Sequence, residues 1–398
     1  MADDAWLLSP SAMSLHPEDG ANHDPVDGAA AVPPEPRSVP DGTVDPAFWA
    51  GRTVLITGST GFKGAWLSLR LQTLGAQVVG LSHAPPSDPA LFALADVGRD
   101  ATELTGDMRD FDMLKRVLAA HRPDVVFHLA AQALVRASLA DPRSTYEINV
   151  MGTVNLLEAV REVGGVQALV NVTSDKCYEN REWQWAYREY EPKGGRDPYS
   201  SSKACSELVT EAFRASFFSA PAAATRVATA RAGNVIGGGD WAADRLVPDL
   251  MRSALARETL IVRNPDSVRP WQHVLEPLTG YLLLAQALCR SADYAEGWNF
   301  GPPVGDERSV RWVVEHLAAL WPDGVRWEAA PPQASVESST LTIDSTRARM
   351  RLGWRPSWSL QQALERIVQW YQAFERGADM RQLTIGQIED HAQAPSYT

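Results

Sequence analysis

A short β-branched run, Thr53-Val54-Leu55-Ile56-Thr57, leads directly into Gly58-Ser-Thr-Gly61-Phe-Lys-Gly64. Ala65-Trp66-Leu67-Ser68-Leu69-Arg70-Leu71 follows at helical spacing. Strand, glycine turn and helix in that order leave few options. Gly58 suits a tight turn, Gly61 lets backbone come close to a pyrophosphate, and Gly64 lets the helix pack on the strand. Amides at the helix N-terminus then meet phosphate oxygens with a favourable dipole. The pattern predicts a dinucleotide site, with Gly58, Thr60, Gly61, Phe62, Lys63 and Gly64 against the cofactor.

The texture repeats downstream. Apolar runs at 77–81, 124–129, 168–173 and 226–230 alternate with amphipathic stretches near 111–121, 142–163 and 198–217. Strands that are apolar on both faces, separated by helices, predict a parallel sheet covered on each side. The expected fold class is α/β, a Rossmann-type doubly wound parallel sheet over 49–230. A smaller mixed α/β C-terminal lobe is expected over 231–380, with some segments returning to the sheet, then a tail at 381–398. No internal repeat interrupts this order.

Charge is unevenly placed. The chain of 398 residues has a net charge of −12, yet residues 1–45 alone hold nine acids against Arg37, which is −8 and leaves −4 for the rest. The same stretch has seven prolines and no apolar periodicity, so 1–48 is expected to be a disordered acidic extension. No basic stripe favours nucleic acid, and no apolar run long enough to span a bilayer occurs. Cys177, Cys205 and Cys289 are too scattered for a disulfide framework or a metal pair, so no metal is expected. With an acidic Met1-Ala2-Asp3-Asp4 start, the expected location is the cytoplasm.

Two features bear on chemistry. A dinucleotide fold usually places an acid on the ribose about twenty residues after the glycine turn. Here the second strand ends Gly80-Leu81-Ser82-His83, with neither acid nor arginine, and Asp107 is the candidate to hold the adenine edge. Further on, Asp197-Pro198-Tyr199-Ser-Ser-Ser-Lys203 reads as a helix start with Asp as N-cap and Pro at the first position. Tyr199 and Lys203, four apart, then share a face. A nearby ammonium favours the phenolate and makes Tyr199 a usable base.

These segments resemble the extended short-chain dehydrogenase/reductases of the NAD-dependent epimerase/dehydratase family, and within it the subgroup acting on CDP-glucose. The resemblance rests on TGSTGFKG at 57–64, HLAAQ at 128–132, YEINVMGT at 146–153, TSDKCY at 173–178, DPYSSSK at 197–203, ARAGNVIGGGDW at 230–241 and RPWQHVLEP at 269–277. They run in order over about residues 50–380. Similar chains often carry His where Ser59 stands, a departure expected to bear on cofactor affinity only.

The resemblance implies NAD as cofactor, also lined by Met108, Leu129, Ala130 and Ala131, with Tyr199 and Lys203 at the nicotinamide end. It implies removal of water from a nucleotide-linked glucose. Tyr199 would take the proton of the 4-hydroxyl while hydride leaves carbon 4, and Ser174 would bond the 4-oxygen. The ketone acidifies carbon 5; loss of that proton and of the 6-hydroxyl follows, and the hydride returns to carbon 6. Asp175 would protonate the leaving hydroxyl. Lys176 stands where related dehydratases carry a glutamate base, and either acts as the base or only positions substrate. Asn234, Arg245 and Arg269 would grip the nucleotide sugar, the arginines at its diphosphate. Trp241 and Trp271 would frame the base or pack the core. Superfamily analogy implies a homodimer or homotetramer, with its seam on helices 111–121 and 142–163. Two rivals stay open: another sugar-nucleotide dehydratase or 4-epimerase on this scaffold, and a non-catalytic nucleotide-sensing or RNA-associated relative.

Overall fold

The computed structural model describes residues 41–220, 224–303, 305–331 and 340–397. The acidic extension, over 1–40, lies outside the described residues.

The twelve described strands are β1 (Thr53–Thr57), β2 (Gln77–Ser82), β3 (Ala101–Thr105), β4 (Val125–His128), β5 (Ala168–Val172), β6 (Arg226–Ala232), β7 (Asn234–Ile236), β8 (Leu260–Val262), β9 (Val268–His273), β10 (Gly297–Phe300), β11 (Glu307–Ser309) and β12 (Trp327–Ala329). Seven form one sheet in the order β10-β6-β5-β4-β1-β2-β3. Every pairing in it is parallel. The order reverses between β1 and β4, the crevice where open α/β sheets take ligands.

Burial follows the expected pattern. Val54, Leu55 and Ile56 of β1, all of β4 and all of β5 are buried, because helices cover both faces. One apolar core lies under Trp66, Val170, Ala230 and Trp298; a second lies on the opposite face around Leu55, Leu114, Leu157 and Leu169. A three-stranded sheet, β11-β9-β7, and a β12-β8 pair make the smaller lobe.

Two boundaries differ from expectation. Order begins before residue 49: Pro46–Trp49 is a helical turn capped by Asp45, and its fully buried Trp49 donates from Nε1 to Gln286 at 2.8 Å. One buried tryptophan outweighs the polar sequence preceding it. The segment expected as a tail is a helix, Met380–Gln393, capped by Asp379 and anchored by buried Ile388 and His391. Beyond residue 230, β10 joins the main sheet, its register pairing Trp298 with Ala230. In addition, the helical run from 142 to 163 is broken by a wider turn, Glu147–Met151. Such turns recur at functional sites.

Candidate active site

The turn after β1 has the shape its glycines require. Gly58 has φ +80°, and a Cβ there would lie 2.8 Å from the Ala130 nitrogen, at the loop leaving β4. A Cβ on Gly64 would lie 2.1 Å from the Gly58 carbonyl oxygen. The turn is therefore pressed against Leu129-Ala130, the other wall of the crevice. The helix Phe62–Thr73 starts with no side-chain cap and no acid in its first turn. Its first amides, unlike those of the Asp-capped helices, are left for a ligand. These residues fit a dinucleotide pyrophosphate.

The absent acid on β2 is partly answered from β3. Glu103 reaches across Gly80, where a Cβ would meet Glu103 Oε2 at 2.2 Å, and accepts from Ser59 Oγ at 2.9 Å. Burial pushes the Glu103 carboxyl up. Ser59 is fully buried and turned into the protein, so it braces the turn instead of facing a phosphate. Asp107 is held by Arg109, whose Nη2 lies 2.6 Å away, and His83 Nε2 is at 3.4 Å. The Arg109 hydrogen bonds hold its carboxyl down at about 2.

β5 delivers the candidate reacting groups. At its end Thr173, Ser174 and Asp175 turn into a short 3₁₀ helix, Asp175–Cys177, with Ser174 as N-cap. The helix Pro198–Phe213, which carries the candidate Tyr199 and Lys203, starts as read, with Asp197 accepting from the Ser200 amide at 3.0 Å. Such a cap is worth about 1 kcal/mol. It presents Tyr199, Lys203 and Glu207 on one face, all buried.

Ser174 Oγ donates to Asp175 Oδ1 at 2.9 Å. Burial pushes the Tyr199 phenol up; the Ser174 hydroxyl and Arg245 pull it the other way. Burial also raises the Asp175 carboxyl, against Lys176, Ser174, Arg269 and Lys63, which favours the acid form. Asp175 Oδ2 is buried without a hydrogen-bond partner. Lys203, with Nζ on the Val172 carbonyl at 3.3 Å, is lowered by burial to about 8, and Glu207 opposes the fall. Lys63 is lowered to about 8 by burial and by Arg245 and Lys203.

A cavity of about 560 Å³ gathers these groups apart from Lys203. Ser174, Asp175, Lys176, Tyr199 and Lys63 line it from the sheet side, with Asn234, Arg245, Arg269 and Trp271 from the smaller lobe. Arg245 pairs with Asp240 at 3.2 Å, and Arg269 Nη1 donates to the Val268 carbonyl at 2.9 Å. Further out, Asp244 joins Arg136 at 3.1 Å and Arg263 at 2.9 Å. Trp241 does not line the cavity; it packs edge-on against Tyr371 and Phe374. Trp271 does line it, with Nε1 tied to the Arg308 carbonyl.

Sequence reasoning passed over several supporting residues. Glu207 accepts from Thr173, from Thr229 at 2.7 Å and twice from Arg231, at 2.8 and 2.6 Å. Arg231 in turn donates to Tyr178 at 2.7 Å. The four-residue ladder Tyr199, Lys203, Glu207 was the available signal. Asn149, in the wide turn, donates to Ser202 at 2.9 Å and accepts from Gln132, locking helix to crevice. His128 bonds Thr57 at 2.7 Å and burial lowers it to about 3, so it is a neutral structural histidine.

A dinucleotide crevice at the sheet's switch point, with a Ser–Tyr–Lys set beside it, defines a nicotinamide-dependent enzyme of the short-chain type. The model of the NAD dependent epimerase/dehydratase family matches residues 54–296, and the chain belongs to that family. It is 49% identical over 356 residues to the CDP-glucose 4,6-dehydratase of Salmonella typhimurium, covering 88% of this chain and 99% of that one. It is 27% identical to a dTDP-glucose 4,6-dehydratase of Xanthomonas campestris over 80% of this chain and 93% of that one. Among solved structures, the DesIV dTDP-glucose 4,6-dehydratase double mutant from Streptomyces venezuelae, with NAD bound, superposes with TM-score 0.70. That pair shares 25% identity over 82% of this chain and 98% of that one.

Proposed function

We propose that this chain is a CDP-glucose 4,6-dehydratase, converting CDP-glucose to CDP-4-dehydro-6-deoxyglucose and water with NAD recycled in place. The observation that carries the reading is the buried Asp175 beside Lys176, in one cavity with Ser174 and Tyr199. An epimerase needs no acid–base pair aimed at carbons 5 and 6; an elimination does. Similarity spanning nearly the whole Salmonella CDP-glucose 4,6-dehydratase supports the nucleotide assignment.

The glycine turn, the uncapped amides of residues 62–64 and the Leu129-Ala130-Ala131 wall would hold NAD, and Lys203 would hold its nicotinamide ribose. When bound, NAD supplies a reversible hydride acceptor. Tyr199 removes the 4-hydroxyl proton, with the Lys203 ammonium stabilising the phenolate. Ser174 holds the 4-oxygen. Lys176 takes the carbon-5 proton, acidified by the adjacent ketone. Asp175, kept in its acid form by burial, protonates the departing 6-hydroxyl. Lys63, Arg245 and Arg269 grip the diphosphate, and Asn234 supports the sugar.

A homodimer or homotetramer goes with this reading. The exposed apolar side chains Tyr146, Met151, Leu208 and Phe217 lie on 142–163 and 198–218, and none of the exposed large apolar side chains falls on 111–121. This shifts the candidate seam onto the catalytic helix and its neighbour. Among the described residues no helix is long and apolar enough to cross a membrane, and the three cysteines are unpaired.

The test is a substrate panel. CDP-, UDP-, dTDP- and GDP-glucose are each incubated with the protein and catalytic NAD. A 4-keto-6-deoxy sugar forming from CDP-glucose at least about tenfold faster than from the others, a gap of about 1.4 kcal/mol, is expected. Preference for another base rejects the CDP assignment, and a galactose-type product rejects elimination.

A further inference from the structure

We propose that Glu103 is the positioning residue of the cofactor turn: through Ser59 and Ser82 it fixes Thr60 to the end of β2 and so sets NAD affinity. The inference rests on the glycine turn as the NAD site and not on the CDP-glucose reading. Three elements meet under that turn. Ser59 Oγ donates to Glu103 Oε2 at 2.9 Å and lies 3.1 Å from Ser82 Oγ, and the Thr60 amide donates to Ser82 Oγ at 3.2 Å. Donor count fixes the directions. Ser59 spends its one hydrogen on Glu103, so Ser82 donates to Ser59, and the Thr60 amide supplies Ser82. Every hydrogen in the chain points towards Glu103. Ser82 stands where an acid for the ribose usually ends the second strand, and its own hydrogen is already spent. Affinity then depends the more on a turn already held in its binding shape.

The chain is closed to substitutes. Ser59 and Ser82 are buried, and Glu103 Oε1 is buried without a hydrogen-bond partner. The fit also needs Gly80 to lack a side chain: a Cβ there would meet Glu103 Oε2 at 2.2 Å and Ser59 Oγ at 2.4 Å. A shift of Ser59 passes directly to the helix Phe62–Thr73, because the Ser59 Cα would lie 2.8 Å from a Cβ on Gly64. Thr60 and Gly61 spend their amides inside the fold, on Ser82 and on the Gly58 carbonyl at 3.1 Å. The amides left for a pyrophosphate therefore begin at Phe62, and the chain sets where they stand. Burial raises the Glu103 carboxyl. Oε2 accepts from Ser59 in either form, since the acid can carry its hydrogen on Oε1. The chain needs an acceptor oxygen and not a charge.

The experiment titrates cofactor-free protein with NAD by isothermal calorimetry and, separately, reads KM for NAD and kcat on CDP-glucose. Glu103→Ala is expected to raise the NAD dissociation constant about tenfold. The loss should appear in the KM for NAD and not in kcat at saturating NAD. Glu103→Gln, which keeps an acceptor oxygen for Ser59, should restore most of the affinity. Ser59→Ala should weaken NAD binding by a similar factor, and the double variant Ser59→Ala, Glu103→Ala should bind no more weakly than the worse single one. Should Glu103→Ala fail to fold by circular dichroism, Ser59→Ala against unmodified protein makes the same comparison. Affinity within about twofold of unmodified protein in both single alanine variants overturns the proposal. Equal losses in Glu103→Gln and Glu103→Ala, additive losses in the double variant, or a fall in kcat at unchanged affinity also overturn it. If unmodified enzyme makes no 4-keto-6-deoxy product, the CDP-glucose reading fails, while the calorimetry still decides the role of Glu103.

Discussion

Removing the charge of Glu207 should cost the fold more than any other single change behind the catalytic helix. Its side chain is 3% exposed and that of its partner Arg231 is 4%. Burial alone would push the Glu207 carboxyl up, but Arg231 and the hydroxyls of Thr173 and Thr229 hold it below the ordinary carboxylate range. Glu207→Gln keeps the shape, but its amide has one acceptor oxygen and turns an NH₂ towards a guanidinium or hydroxyl donor. Arg231 keeps Tyr178 and the Glu189 carbonyl at 3.1 Å, which are neutral. A buried charge left uncompensated in this way costs about 3–5 kcal/mol. Against a typical total of about 5–15 kcal/mol, that is a large share. Urea unfolding followed by circular dichroism should show the midpoint fall with an unchanged slope. The double variant Glu207→Gln, Arg231→Met should recover most of the loss, because no charge stays buried alone. A single-variant loss under about 1 kcal/mol would refute the reasoning and mean that Glu189, 3.6 Å from Arg347, also compensates Arg231.

Three further outcomes follow from the same geometry. Gly64→Ala drives a Cβ against the Gly58 carbonyl and the Ser59 Cα, both backbone, so the turn must move at about 1–3 kcal/mol; fluorescence titration should show NAD affinity falling by tenfold or more, and unchanged affinity would contradict it. Lys176→Ala should still oxidise carbon 4 but stall before water loss, visible as accumulated reduced-nicotinamide absorbance, whereas undiminished turnover removes Lys176 from the chemistry. Lys63 and Lys203 are both lowered to about 8, so between there and the ordinary lysine value of 10.5 the unfolded chain binds more protons than the folded one. Their contribution therefore makes stability rise with pH across that window, and urea midpoints should climb less steeply in Lys203→Met; an identical climb would contradict the assignment.

Much of this was legible beforehand because local chemistry and tertiary role coincide. The glycine turn, the Asp197-Pro198 helix start and the apolar strands each satisfy a short-range rule, and the fold agrees with them. Which C-terminal segment returns to the sheet was not legible, because Gly297-Trp298-Asn299-Phe300 is short and joins beside β6 only through a contact some 70 residues distant in sequence. Trp49 and the helix Met380–Gln393 escaped because their flanks are polar and their order comes from a few buried anchors. In the site, residue types gave the candidate reacting set, but not which groups lean on it. Glu103 crossing above Gly80, and Trp241 packing away from the cavity, depend on side chains meeting across elements, which spacing alone does not encode.

The central claim is that hydride leaves carbon 4 and returns to carbon 6 within one site while water is lost. The most direct measurement follows CDP-glucose carrying deuterium at carbon 4 by nuclear magnetic resonance, with catalytic NAD. The account predicts the label at carbon 6 of a 4-keto-6-deoxy sugar, with no net reduced nicotinamide. Label restored to carbon 4 of an unreduced hexose, or held stoichiometrically in reduced nicotinamide, would contradict it.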